Sequence, residues 1–149
     1  MALKELIGKA VDHALTLGIF ERVNGYEPKS PPGGGLTAAI WAQLVEPIQA
    51  SGLNSTSVRV ELNVRLYANM LSEPQDAIDP AMLNAVDILC AAYSADFTLG
   101  DAIRNVDLLG SYGRPLSAQA GYISLADRLN RVMTITLPLI VNDLWTQSP

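Results

Sequence analysis

The sequence is poor in the residues that build most catalytic and metal sites. It holds one cysteine, Cys90, and one histidine, His13, in 149 residues. One cysteine cannot form a disulfide within the chain, and zinc sites need several cysteine or histidine ligands. We therefore expect no disulfide, no metal site and no cofactor. Cys90 is interpreted as a small core residue, and His13 as a solvated residue on a helix face.

Common catalytic motifs are also missing. The sequence has no Gly-x-Ser-x-Gly, His-Glu-x-x-His, Cys-x-x-Cys or Gly-x-Gly-x-x-Gly. Three consecutive glycines at 33–35 precede Leu36 and Thr37, whereas a phosphate loop needs Gly-Lys-Ser/Thr at the start of a helix. These absences remove the catalytic classes that depend on histidine pairs, cysteine pairs or a nucleotide loop, without excluding every enzyme. No catalytic residue is predicted, and we expect a protein that is not an enzyme. A small ligand-binding or enzymatic α+β domain is the alternative, since folding can bring two carboxylates together.

Charge is scarce as well. Only 17% of the residues are charged and 49% are hydrophobic, whereas a soluble domain has about 25% charged residues. The net charge of −5 argues against a nucleic-acid-binding surface, and no apolar run reaches the roughly 18 residues of a membrane span. The composition therefore predicts either a large core or a surface covered by copies or partners. The first residues lack the apolar stretch of a secretion signal, so we expect maturation in the cytoplasm.

The length of 149 residues predicts one domain over residues 1–149, and hydrophobic spacing predicts its helices. A helix is expected from Leu3 to Leu15, followed by Gly18 in the left-handed conformation. A second helix is expected to begin at Pro80, with Asp79 as its N-cap, and to continue to Tyr93. The Pro/Gly-rich loop at 25–35 is interpreted either as an arm that orders against a neighbouring subunit or as a connector.

Alternating residues predict the strands. Their expected ranges are 36–45, 58–67, 104–109, 117–124 and 131–141. A polar turn is expected at 127–130, and no regular structure is expected from 145 to 149. Pro138 is expected at a sheet edge or a bulge, because proline donates no hydrogen bond. The fold class is therefore α/β (α+β), a mixed and mostly antiparallel sheet flanked by helices.

The strand at 58–67 has one apolar and one polar face. The polar face is expected either in solvent, with weak surface ion pairs, or in a protein–protein contact. Together with an aromatic residue of the preceding strand and the Pro/Gly-rich loop, it gives a candidate interface of Trp41, Arg59, Glu61, Arg65, Tyr67, Pro32 and Gly34.

The segment from Glu73 to Asp107 is strongly acidic. It holds seven acidic residues and one basic residue, without the spacing of a calcium-binding loop. The segment is interpreted as solvated loops and a helix start, or as a negative surface that repels a polyanion. The candidate acids for such a surface are Asp96, Asp101 and Asp107.

The order of several stretches resembles a known family. After the opening helix come LTAAIWA at 36–42, SVRVELNVRLY at 57–67, IDPAMLNAVD at 78–87, VDLLG at 106–110, GYI at 121–123 and RVMTITLPLI at 131–140. From about Leu3 to Asp143 the chain resembles the tail-terminator proteins of long-tailed (siphovirus) bacteriophages, of the kind found in phages of actinobacteria.

This resemblance implies a compact α/β protein that forms a homo-oligomeric ring, expected to be a hexamer, at the head-proximal end of the tail tube. The ring stops tube polymerisation and offers a surface for head–tail joining. Its partners are the tail tube protein and the connector or neck proteins, and DNA passes through without specific binding. The protein would be assembled in the host cytoplasm and reside in the neck region of the virion, away from any membrane.

A closed ring needs two different patches on each subunit. The candidate interface would supply such contacts, and the three candidate acids would border the channel, where negative charge lets DNA slide. Another neck component, such as a tail-completion or head–tail connector protein, is the closest alternative.

Overall fold

The computed structural model describes residues 3–28, 36–48, 55–69, 75–125 and 128–146. The predicted α+β class is confirmed within these ranges, where the chain forms two helices and a six-stranded sheet. In chain order the elements are α1 (Leu3–Thr16), β1 (Arg22–Asn24), β2 (Thr37–Pro47), β3 (Ser55–Asn69), α2 (Gln75–Ala95), β4 (Asn105–Val106), β5 (Ser117–Leu125) and β6 (Arg128–Thr146).

The sheet is mostly antiparallel, as predicted. Its strand order is β1-β2-β3-β6-β4, and β5 also pairs with β6. Only the short β1 runs parallel to its neighbour, β2, while every other pairing is antiparallel. The centre of the sheet is the long β3–β6 pair, which runs in constant register from Val58 opposite Val141 to Asn69 opposite Asn130.

Both helices pack on the same side of the sheet, which we call the helix face. The predicted alternation of β3 is confirmed: its even-numbered residues from Val58 to Ala68 join odd-numbered β6 residues in the core. Leu6 and Ala10 of α1, and Leu89 of α2, belong to the same cluster. The other side, which we call the open face, carries the odd-numbered residues of β3.

The first helix matches its prediction, and Gly18 has a φ of +69°. The second begins at Gln75, so the predicted N-cap at Asp79 is wrong and Pro80 lies inside the helix. Tertiary contacts explain the extension, because Ile78 is buried in the core and Arg131 of β6 donates to the Asp79 carboxylate at 2.9 Å. Neither described helix combines the length and apolar character of a membrane span.

Three predictions at strand ends differ from the structure. The strand expected at 104–109 shortens to β4, because the chain turns away at Asp107. The turn expected at 127–130 is wrong from Arg128 onward, since β6 pairs with β5 from that residue. The expected irregular tail is also wrong at Trp145, which pairs with Thr56 at the start of β3.

Pro138 lies in the central strand β6, yet its missing N–H breaks no ladder bond. Its carbonyl accepts the N–H of Asp107 at 2.9 Å, so both main-chain sites of Pro138 point away from β3. On that side β6 pairs with β5 only up to Thr136 and with β4 only from Leu139. Pro138 therefore lies opposite the gap between β5 and β4, where β6 behaves locally like an edge strand.

A bulge in β2 changes which side chains enter the core. Register with β3 shifts between Ala42 and Leu44, leaving Gln43 as the additional residue. Beyond the shift, Leu44 lies opposite Glu61 on the open face and is 40% exposed, whereas Ile40 before the shift is buried in the core. Val45 packs against the core instead.

Candidate interaction surface

A cluster of two arginines and two carboxylates lies at one end of the open face. Arg59 of β3 is fully buried and contacts the carboxylates of Glu61 and Asp107, both almost fully buried. Arg114 reaches Glu61 from the loop before β5, with its Nη2 2.8 Å from Oε1. Each buried charge therefore faces an opposite charge, as burial requires.

The cluster sets the protonation of Glu61. Burial alone would raise the pKa of this carboxyl group, but hydrogen bonds from Arg114 and Arg59, together with their positive charges, outweigh it. The pKa of Glu61 consequently lies below its ordinary value. The carboxylate remains ionised at neutral pH and balances the buried guanidinium of Arg59.

The same cluster fixes the loop at 107–116. The Asp107 carboxylate accepts the N–H groups of Ser111 at 2.7 Å and Tyr112 at 3.0 Å. Arg59 donates to the carbonyl of Arg114. Gly113 lies directly over Arg59, where a β-carbon would come within 2.6 Å of the guanidinium carbon. The loop thereby forms a lid on the charged end of β3.

Four of the predicted surface residues are buried. Arg59, Glu61 and Tyr67 were expected in solvent or at an interface, and Asp107 beside a channel, yet all four are at most 3% exposed. Arg59, Glu61 and Asp107 are buried by the loop described above. Tyr67 packs in a small cluster with Ala39 and Val132 on the open face. These residues cannot contact a partner directly while this arrangement holds.

Arg65 and Trp41 remain accessible on the open face. The Arg65 guanidinium lies 5.1 Å from the centre of the Trp41 ring, and its Nε donates to the Thr134 hydroxyl at 3.0 Å. Glu27 is its ion-pair partner at 4.0 Å. The arginine is therefore held in one orientation with part of its charge exposed.

Polar side chains continue across the open face from Arg65. Asn63 donates to Gln43 at 3.0 Å, which links β3 to the bulge in β2. A shallow cleft of about 370 Å³ runs between this pair and β5. Its lining is polar: Gln43, Asn63, Arg65, Arg114, Ser117, Gln119, Thr134 and Thr136.

The other candidate residues lie elsewhere. Asp96 and Asp101 share the turn after α2, where Asp96 accepts the Gly100 N–H at 3.0 Å and Asp101 has a φ of +65°. Both serve that turn and are separate from the buried Asp107 cluster. Pro32 and Gly34, and most of the predicted loop at 25–35, lie outside the described residues.

The sequence did not reveal a contact between the two helices. His13 was expected in solvent, but its ring stacks on Tyr93 with 5.2 Å between ring centres. Burial lowers the pKa of His13, and the nearby charge of Asp96 opposes this only in part. Cys90 packs against the core as predicted, and burial raises the pKa of its thiol.

Strand β5 is the most open element of the sheet. It pairs with β6 along its whole length, and no described strand pairs with its outer edge. Its nine residues include no charge and no proline, and its side chains are exposed or half-buried throughout. Proteins usually protect such an edge with lysine, proline or a bulge, because free main-chain groups attract another strand.

Among the described residues, no group of three or more side chains is placed to hold a metal ion. No protein-family model matches the chain, and a search of the curated proteins found no match.

Proposed function

We propose that this chain is a structural subunit of a long-tailed bacteriophage that assembles into a ring at the head-proximal end of the tail tube. The ring, expected to be a hexamer, stops polymerisation of the tube and joins it to the connector proteins of the head. In this proposal the chain is not an enzyme, and DNA passes through the ring without specific binding.

The observation that carries the proposal is the apolar surface of the isolated chain. Side chains that a monomer would benefit from burying remain uncovered, and Leu109 is 92% exposed. Little charge offsets them, since only 17% of the residues are charged. In the described part of the chain, the large apolar side chains at least 40% exposed are Leu15, Tyr26, Leu44, Leu83, Phe97, Leu109, Tyr112, Tyr122, Leu129 and Trp145.

These side chains occur on several elements of the fold. Leu83 is on α2, Tyr112 is in the loop over Arg59, and Tyr122 is on β5. A two-fold dimer covers one patch of each subunit, whereas a subunit in a ring has a neighbour on each side and additional partners above and below. A ring placed between tube and connector thus accounts for more of this surface than a simple dimer does.

Light scattering with size-exclusion chromatography, over a range of concentrations and with purified tail tubes, tests the proposal. We expect a closed oligomer of about six chains, binding to one end of each tube in electron micrographs, and arrested elongation when tube protein is added. A chain that stays monomeric at every concentration and binds no tube would refute the proposal.

Binding position separates the terminator from another neck component. A terminator binds tube ends in the absence of connector proteins, whereas a connector or completion protein binds first to the head. A gene position between the connector and tube genes is expected for the terminator.

A further inference from the structure

The two long free edges of the sheet are suited to pair with each other. We infer that β5 of one copy pairs with the outer edge of β2 in the next copy, so that the sheet continues from subunit to subunit. This inference rests on the proposed ring and adds the joint that closes it.

Strand direction is the first argument. Each of the pairs β2–β3, β3–β6 and β6–β5 is antiparallel, so direction alternates along these four strands. In a second copy placed beside the first in the same orientation, β2 runs antiparallel to β5 of the first copy. Antiparallel pairing therefore needs no reversal of either strand, and it is the slightly more stable form per residue.

Length and availability are the second argument. The short β1 pairs with β2 only from Thr37 to Ala39, so residues 40–47 of β2 have no partner on the outer side among the described strands. The free edge of β5 spans Ser117–Leu125. The two edges match within one residue in length and lie at opposite ends of the four-strand unit. The bulge at Gln43 interrupts the β2 edge and Pro47 offers no N–H there, so the joint is built on residues 40–42 and 44–46 of β2.

The main-chain groups on these edges point outward at definite positions. On β6 the carbonyls of Pro138 and Ile140 point toward β4, so even-numbered β6 residues bond on that side. In antiparallel pairs, successive residues of a strand bond alternately to the neighbour on one side and to the neighbour on the other. Following this alternation from β6 to β5, and from β6 through β3 to β2, shows that Ala120 of β5 and Ala42 of β2 direct their N–H and C=O groups away from the sheet. Both alanines are exposed, so neither edge is blocked by its own side chain at these points.

Charge is also complementary at one end of the joint. Antiparallel pairing places the end of β2, with its Glu46, beside the start of β5 in the neighbouring copy. Arg114 precedes that start, and its side chain is 64% exposed although it already bonds Glu61. Glu46 is the only charged residue on either free edge, and it meets a base of opposite sign.

Edge-blocking variants test this joint. Ala120→Lys blocks β5 and Ala42→Lys blocks the outer edge of β2, because a lysine on an edge strand opposes the addition of another strand. Ala91→Lys, at an exposed site on α2, is the matched control. Each variant is checked by circular dichroism and then measured by light scattering where the parent chain assembles. Ala120→Pro and Ala42→Pro form a second pair that removes the outward N–H itself.

The inference predicts that both edge variants remain monomeric alone, while Ala91→Lys assembles like the parent. In a mixture of the two lysine variants, Ala42→Lys keeps an intact β5 edge and Ala120→Lys keeps an intact β2 edge. The mixture is expected to form a complex of two chains, one of each variant, with twice the mass of a single chain.

Other outcomes overturn the joint and identify what fails. If Ala120→Lys prevents assembly but Ala42→Lys does not, β5 pairs with a second β5 across a two-fold axis. If every lysine and proline variant forms the parental ring, the ring exists but uses other surfaces. If the parent itself forms no ring with or without tubes, the proposed function fails together with the joint.

Discussion

Arg59 and Asp107 lie 48 positions apart in the chain and meet inside the fold, with Arg59 Nε 3.5 Å from Asp107 Oδ2. Their contact ties the first part of the central strand β3 to the loop that follows β4. Since the loop then leads into β5, the ion pair also fixes the start of the free edge on which the proposed subunit joint depends.

Removing the Asp107 carboxylate is expected to destabilise the protein strongly. Asp107→Ala leaves the N–H groups of Ser111 and Tyr112 without their acceptor and removes one of the two carboxylates beside the buried Arg59. Removing one partner of a buried ion pair lowers the free energy of unfolding by about 3–5 kcal/mol, because the other charge stays buried without its partner. Urea denaturation measures the loss. Asp87→Ala, at an exposed helix site, is the control, with an expected change within about 0.5 kcal/mol. Equal effects of the two substitutions would contradict the role of the cluster.

Gly113 and Gly8 are expected to respond oppositely to alanine. At Gly113 the new β-carbon would come within 2.6 Å of the Arg59 guanidinium, which is held by carboxylates and cannot move freely. We expect Gly113→Ala to lower the free energy of unfolding by about 1–3 kcal/mol. At Gly8, in α1, no atom lies within 4 Å of the position of a new β-carbon. Gly8→Ala is therefore expected to raise the free energy of unfolding by up to about 1 kcal/mol, because alanine has the higher helix propensity. Thermal unfolding compares them, and a neutral Gly113→Ala would show that the loop does not press on Arg59.

His13 is expected to make stability fall in mildly acidic solution. Burial lowers its pKa in the folded state below the ordinary value of 6.5. As the pH falls below 6.5, the unfolded chain takes up the proton first, so the free energy of unfolding decreases until the folded pKa is passed. His13→Phe keeps a ring against Tyr93 but cannot be protonated. Urea midpoints at about pH 7.5 and 5.5 should therefore differ less in this variant than in the parent. An identical pH dependence would exclude His13 as its source.

Tyr93→Phe is expected to preserve or increase stability. The Tyr93 hydroxyl is buried, and within the described ranges it has no hydrogen-bond partner. Burial also raises the pKa of this phenol well above its ordinary value. Removing the hydroxyl relieves a desolvation cost of about 1 kcal/mol or more while the ring still stacks on His13. Chemical denaturation measures this, with Tyr122→Phe at a 58% exposed site as the neutral control. A marked loss of stability in Tyr93→Phe would reveal a bonded hydroxyl.

Local pattern was enough to predict most of the fold. The period of two in Val58–Tyr67 identified β3 and its core face, the helical spacing from Leu3 identified α1, and Gly18 identified the end of that helix. These features depend on neighbouring residues along the chain, because a strand or helix repeats its own geometry. The α+β class followed from the order of such elements.

Long-range contacts decided what the sequence could not. Arg59 and Glu61 stand at the polar positions of an alternating strand, which is the pattern of a solvent-exposed face. Their burial depends on a loop that begins 46 positions after Glu61, and nothing in the strand itself encodes that cover. The same holds for His13, which meets Tyr93 only because two helices share one face of the sheet. It holds also for β5, whose outer edge pairs with none of the described strands. The sequence by itself determined which residues of a strand share a face. The tertiary structure decided which of those faces is exposed to solvent, because the segments that cover a face lie far away in the chain.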